Sequence, residues 1–196
     1  MNDRKIVFLH VPHTGGRMIG RFMWSHNLNY VKLHNNNDIS LYLDDDNDYK
    51  NGIEKYFVVR DPIERAYKEF LHYSRNLDRI GMVNHLSISD FTNLDHNNPY
   101  DYLGMEVNKN VYCKFLLMRE DFSVPVTDQE FNKMDLDDFK YDLFEDIPTL
   151  PTLSGLINMN IDVPKLTRVE VEIPSDIKSY IINNNEYDIM LFKNVF

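Results

Sequence analysis

One cysteine, Cys113, occurs in 196 residues. A single thiol cannot close an intramolecular disulfide, and a zinc site built on several cysteines is excluded with it. No apolar run approaches the ~20 residues that a membrane span requires. The opening stretch MNDRKIVFLH lacks the long apolar segment and small-residue cleavage site of a signal peptide. These absences lead us to expect a soluble, cytoplasmic protein. Positive charge is also scarce: 21 Lys and Arg stand against 31 Asp and Glu, a net charge of −10. Acid spread along the whole chain argues against non-specific binding to nucleic acid or to an anionic membrane. An anionic ligand would need a local basic cleft. Internal repeats and linker-like segments are absent too.

What is present is an ordinary globular composition, 43% hydrophobic, in a length that suits one domain, 1–196, around one core. Asn, Asp, Ile, Lys and Tyr are abundant, as in the NNN runs at 35–37 and 183–185. That bias suits an AT-rich genome, bacterial or viral. Residues 5–10 read as a buried strand of a parallel sheet. Met18, Ile19, Phe22 and Met23 fall at helical spacing within a helix over 17–27. A short strand is expected near 29–33, and KYFVVR at 55–60 is the clearest strand. Residues 34–52 read as a polar loop with one short ordered piece. Asp61-Pro62 opens a helix to about Arg75, with proline in its first turn.

Two helical stretches are expected within 86–118. Thr127 to Glu130 has the form of a capping box that starts another helix. A further helix is expected in 148–160, and two more at the C-terminus, the first capped by Ser175 or started by Pro174. This order predicts a three-layer α/β domain, P-loop-like, with a small central parallel sheet and a helical C-terminal half.

The stretch VPHTGGRMI at 11–19 lies between the first strand and the first helix. A helix N-terminus has N–H groups without intrahelical acceptors, and its dipole favours negative charge. Gly15 and Gly16 allow the backbone to fold around phosphate oxygens, and Thr14 adds a hydroxyl donor. The loop matches neither the Walker A pattern nor the dinucleotide fingerprint G-x-G-x-x-G. A plain tight turn between strand and helix accounts for the same letters.

In YFVVRDPIERAYKEF at 56–70, Arg60 ends a strand. Arg65 and Lys68 follow at a spacing that shares a helix face. Arginine there holds a phosphate through paired N–H donors. Ion pairs Asp61–Arg65 or Glu64–Lys68 on a solvated face are the structural alternative.

The two motifs together resemble the carbohydrate sulfotransferases of the heparan 2-O/chondroitin type and their bacterial and viral relatives. In that family a loop of the form PKTGGTS binds the 5′-phosphosulfate of 3′-phosphoadenosine 5′-phosphosulfate (PAPS), and R-D-P-x-x-R-x-x-S binds the 3′-phosphate. The resemblance extends to N110-V-Y-C-K-F-L-L117 and to the C-terminal pattern around N185-E-Y-D-I-M-L-F192. It spans about residues 5 to 193. This chain has His13 for the family's lysine, Arg17-Met18 for Thr-Ser, and Lys68 for the serine of the second motif.

The resemblance implies a PAPS-dependent sulfotransferase that releases 3′-phosphoadenosine 5′-phosphate (PAP). It requires no metal and acts on a hydroxyl of a sugar or small glycoside. The residues it implies at the nucleotide are Pro12, His13, Thr14, Gly15, Gly16, Arg17, Met18, Arg60, Lys68 and Arg168. His13 and Arg17 would supply cations for transfer, and His34 would be the general base. His10 is read as a hydrogen-bonded structural histidine. His72 and Tyr73 face either a cleft or the core, and Asp44–Asp46 form a solvated charge run. The alternative on the same fold is a catalytically degenerate module that binds PAP or phosphate without turnover. A small-molecule kinase is disfavoured by the missing Walker A lysine.

Overall fold

The two most apolar runs form the two central strands. In the computed structural model, which describes residues 5–34, 38–39, 42, 53–75, 95, 98–163 and 170–195, β1 is Lys5–Leu9 and β3 is Ile53–Val59. With β2 (Tyr30–Leu33) and β4 (Phe139–Leu143) they form one parallel sheet in the order β2-β1-β3-β4. Both central strands are buried on both faces. Ile6, Phe8, Tyr56 and Val58 lie on one face, and Val7, Leu9, Phe57 and Val59 on the other. A sheet covered on both sides is the middle layer of a three-layer α/β fold, and its strands then read as continuous apolar runs. The expected fold class is the observed one.

The chain divides into two compact units, Met1–Arg60 with Asp135–Glu170 and Asp61–Met134 with Val171–Phe196. The first unit holds the sheet, α1 (Gly16–Ser25) and α6 (Pro151–Ile157). Ile19 and Met23 of α1 and Leu153 and Ile157 of α6 pack against Ile6, Phe8, Tyr56 and Val58. These are the apolar positions of α1 that helical spacing predicts.

β4 is not legible as a strand in the sequence, because FKYDL carries an acid where the pattern needs an apolar residue. The acid, Asp142, is buried. It accepts from the Tyr56 hydroxyl at 2.8 Å and from the N–H groups of Thr152 and Leu153 at 2.8 and 3.0 Å. It thus joins β4 to β3 and caps α6.

The second unit contains α2 (Pro62–Arg75), α3 (Pro99–Gly104), α4 (Val111–Leu116), α5 (Asp128–Lys133), α7 (Ser175–Asn184) and α8 (Glu186–Val195). Asp61 starts α2: its Oδ1 accepts from the N–H groups of Ile63 and Glu64 at 2.8 and 2.9 Å, and Pro62 takes the first position, where no N–H is needed. Ala66, Tyr67, Phe70 and Tyr73 of α2 form a core with Tyr102, Leu103, Ile177 and Ile181. Tyr73 therefore faces the core and stacks on Tyr102 at 4.2 Å, while His72 is exposed. The capping box at Thr127 and Glu130 is present. Pro174 precedes α7, and Ser175 is its first residue. The two helical stretches expected within 86–118 are α3 and α4, while residues 86–94 and most of the 34–52 loop, with Asp44–Asp46, lie outside the described residues.

The N-termini of α4 and α8 cap each other. Asp188 of α8 accepts from the N–H groups of Tyr112 and Cys113 at 3.0 Å each. Asn110, before α4, accepts from Tyr187 and Asp188 at 3.1 and 3.2 Å. Asn185 accepts from the Asn110 N–H at 2.9 Å. All three side chains are buried. Burial pushes the Asp188 carboxyl up, and the Cys113 N–H and the positive charge of Arg65 draw it back.

Asp188→Ala should cost about 3 kcal/mol or more, since two buried N–H groups lose their acceptor together. Thr127→Ala, which opens an exposed capping box, should cost about 1 kcal/mol. Urea unfolding followed by circular dichroism measures both. Equal costs would show that Asp188 is not the joint of the second unit.

Candidate functional site

In the order β2-β1-β3-β4 the chain leaves β1 toward β2 on one side and returns as β3 on the other. The strand order therefore reverses between the carboxyl ends of β1 and β3, where open parallel sheets bind ligands. The loop after β1 and the residue after β3 lie there together: Arg60 donates from Nη1 to the carbonyl of His13 at 3.2 Å. Two motifs 47 residues apart thus meet at the switch point. Arg60 is 4% exposed, and its guanidinium lies 4.4 Å from the centre of the Phe144 ring.

The loop is shaped by its backbone. His13 has φ 65° and Gly15 φ 83°. Positive φ at His13 and Gly15, with Thr14 between them, gives the alternating backbone hand of an anion-binding nest. Thr14 is fully buried, and its hydroxyl, expected at a bound phosphate, donates to the Val11 carbonyl at 2.8 Å. Thr14 therefore closes the turn. Gly15 caps α1, and its carbonyl accepts from the N–H groups of Met18 and Ile19 at 3.0 and 3.3 Å. The Met18 side chain packs against the core of the first unit. Pro12 and His13 are half-buried, and Arg17 is exposed in the first turn of α1.

Gly16 is required by contact rather than by dihedral angle. A Cβ at this position would stand 1.6 Å from Cδ2 of His10. His10 is buried and lies between Phe8, at 5.8 Å between ring centres, and His34, at 4.4 Å and 18°. Among the described residues its Nδ1 has no hydrogen-bond partner. The structural part of the His10 expectation holds, but ring stacking takes the place of hydrogen bonding at Nδ1. Burial, then the positive charge of His34, Lys32, His13 and Arg17, lowers its pKa to about 2. His34 is half-buried; its Nδ1 lies 3.4 Å from the His10 carbonyl, and its N–H donates to Asp38 at 2.7 Å. Donation from Nδ1 to a carbonyl makes Nε2 the basic nitrogen, the one a general base needs.

Lys32 also belongs to this cluster, and the sequence reading did not single it out. Burial lowers its pKa and Asp38 raises it, while Arg17 lowers it further. The available signal was the period of two in YVKLH, which sets Lys32 on the same side of β2 as His34.

Arg65 is 1% exposed, and its guanidinium pairs with Glu69 rather than with Asp61. Lys68 is half-buried on α2, in the second unit. Arg168 lies outside the described residues. Among the described residues no group of His, Cys, Asp and Glu is arranged to hold a metal ion, and no helix is long and apolar enough to cross a membrane. No family model matches the chain, and no curated protein matches it.

Two outcomes follow from this geometry. Gly16→Ala should destabilise the protein more than Gly15→Ala: the first drives a methyl group into an imidazole, and the second costs the ~1 kcal/mol of a left-handed alanine. Equal shifts in urea midpoint would contradict the close packing on His10. His10 stays neutral when folded, whereas its ordinary value is 6.5. The unfolded chain therefore binds one more proton as pH falls below 6.5, and stability should drop by up to ~1.4 kcal/mol per pH unit from this group. His10→Gln should flatten that slope, and an unchanged slope in unfolding measurements at pH 4 to 7 would refute it.

Proposed function

We propose that the chain is a sulfotransferase that moves a sulfuryl group from PAPS to a hydroxyl, on a sugar or small glycoside. The observation that carries this reading is the meeting of the glycine loop and Arg60 at the carboxyl ends of adjacent parallel strands. Those are the two motifs that the resemblance assigns to the 5′-phosphosulfate and the 3′-phosphate. The donor set fits such an anion. It comprises first-turn N–H groups of α1, a nest-forming backbone, exposed Arg17, half-buried His13 and a surround of bases in an acidic chain.

PAPS is a co-substrate here, and it supplies an activated sulfuryl group whose leaving group is a phosphate oxygen. The task of the chain is positioning and charge stabilisation, as in phosphoryl transfer. The loop N–H groups and Arg17 hold the anion and oppose the charge that develops on it. His34 accepts the proton of the attacking hydroxyl through Nε2. Arg60 braces the loop through the His13 carbonyl, so its contribution to binding includes holding the nest in shape.

A second reading, a module that binds PAP without turnover, is favoured by one observation. The Arg60 guanidinium is buried, engaged with the His13 carbonyl and covered by Phe144.

Calorimetric titration with PAP, ATP and 5′-AMP should give binding that depends on the 3′-phosphate, and Arg17→Ala should weaken it about tenfold. Transfer of labelled sulfuryl groups from PAPS to a panel of sugar acceptors, with activity unchanged by chelators, separates the two readings. Binding with no transfer to any acceptor supports the module, and no binding of PAP sinks both.

A further inference from the structure

Lys32 occupies a defined place on the sheet. It pairs in register with Phe8, and two residues further along each strand His10 and His34 stack on each other. Facing residues of paired strands share a face, and so do residues two apart. Phe8 lies on the face covered by α1, where it packs with Ile19 and Met23. Lys32 therefore stands on that face, one step before the histidine pair whose inner ring supports Gly16. It is half-buried on an edge strand.

Among the described residues, the groups that act on Lys32 and on its histidine neighbours are mostly bases. Arg17 acts on Lys32, and Lys32, Arg17, His13 and His34 all act on His10. Among the described residues the acid that acts on Lys32 is Asp38, whose carboxylate also receives the His34 N–H. Gathering an ammonium and a guanidinium beside two stacked imidazoles is unfavourable in a partly desolvated place unless an anion joins them.

We propose that Lys32 is the principal cation of the anion site, pairing with the phosphate or sulfuryl oxygens that the glycine loop receives. This rests on the reading under Proposed function. It also adds an ammonium to that reading beside the Arg17 guanidinium. In the transfer, the acceptor oxygen forms a new bond to sulfur, and the sulfur–oxygen bond to phosphate breaks with its electron pair on the phosphate oxygen. The hydroxyl proton goes to His34. The ammonium of Lys32 opposes the charge arriving on that phosphate oxygen.

The test is calorimetry with PAP and with inorganic pyrophosphate on the wild type, Lys32→Met, Lys32→Arg and Lys55→Met. Lys55, on β3, pairs with Asp138 at 3.9 Å and serves as the control for loss of a charge. PAP affinity should fall by at least about tenfold in Lys32→Met, recover in part in Lys32→Arg, and hold in Lys55→Met. Equal PAP affinity in the wild type and Lys32→Met overturns the proposal and leaves the sulfotransferase reading standing. Pyrophosphate binding that depends on Lys32, without PAP binding, supports the cation and removes the sulfotransferase. No binding of either anion removes both. On the wild-type protein, NMR of reductively methylated lysines gives a readout independent of folding of the variants: the Lys32 resonance should move when PAP is added, and an unmoved resonance overturns the proposal.

Discussion

An imidazole fills the space that a side chain of residue 16 would need. The close approach of His10 to Gly16 sets the first turn of α1 directly against the end of β1. The other features of the loop follow from it. The chain has only six residues between the end of β1 and the start of α1, and it reverses within them through positive φ at His13 and Gly15. Thr14 is turned inward to hold the Val11 carbonyl. The same contact buries His10, which leaves it neutral and stacked against His34. One glycine thereby fixes the geometry of the loop and the chemical state of the histidine beneath it.

The polar groups at the carboxyl ends of the first three strands run against the charge of the chain as a whole. The protein carries a net charge of −10, yet the carboxyl ends of β1, β2 and β3 collect Lys32, Arg17, Arg60, His10, His13 and His34. Folding brings these groups together from three separate stretches of sequence. Like charges at short range cost free energy that an anion would offset. Arg60 reaches its place by a different route. Its charge is spent on the His13 carbonyl and on the face of Phe144, a planar cation used as a brace.

The second unit solves a structural problem with comparable polar groups. Asn110, Asn185 and Asp188 are buried, and each accepts hydrogen bonds from the backbone at the start of a helix. Two short helices each leave N–H groups without partners, and in isolation neither would be stable. Here each supplies the acceptor that the other requires. This gives a physical reason for asparagine at 110 and for the Asn185 to Asp188 spacing, a reason concerned with folding and not with chemistry on a ligand. Arg65, with Glu69 beside it, puts a buried positive charge within reach of Asp188.

The sequence by itself determined the features that depend on neighbours within a turn or along a strand. The apolar runs at 5–9 and 55–59 specify central strands, and the spacing of Ile19 and Met23 specifies the buried face of α1. Asp61-Pro62 marks the start of α2, and Thr127 with Glu130 makes a capping box. Each of these is satisfied by residues a few positions away, so periodicity and capping rules are enough. The glycine loop was legible as a candidate anion site for the same reason.

Tertiary structure decided which polar groups are partnered and where. β4 was hidden because Asp142 looks like a surface residue until Tyr56 and the start of α6 are brought to it. Arg65 looked available to an anion, and its burial beside Glu69 depends on how α2 packs. Lys32 and His10 gain their meaning from strand pairing that sets them beside His34, Arg17 and Gly16. These partners come from different elements, and a buried polar group is defined by what satisfies it, so no local pattern could name them.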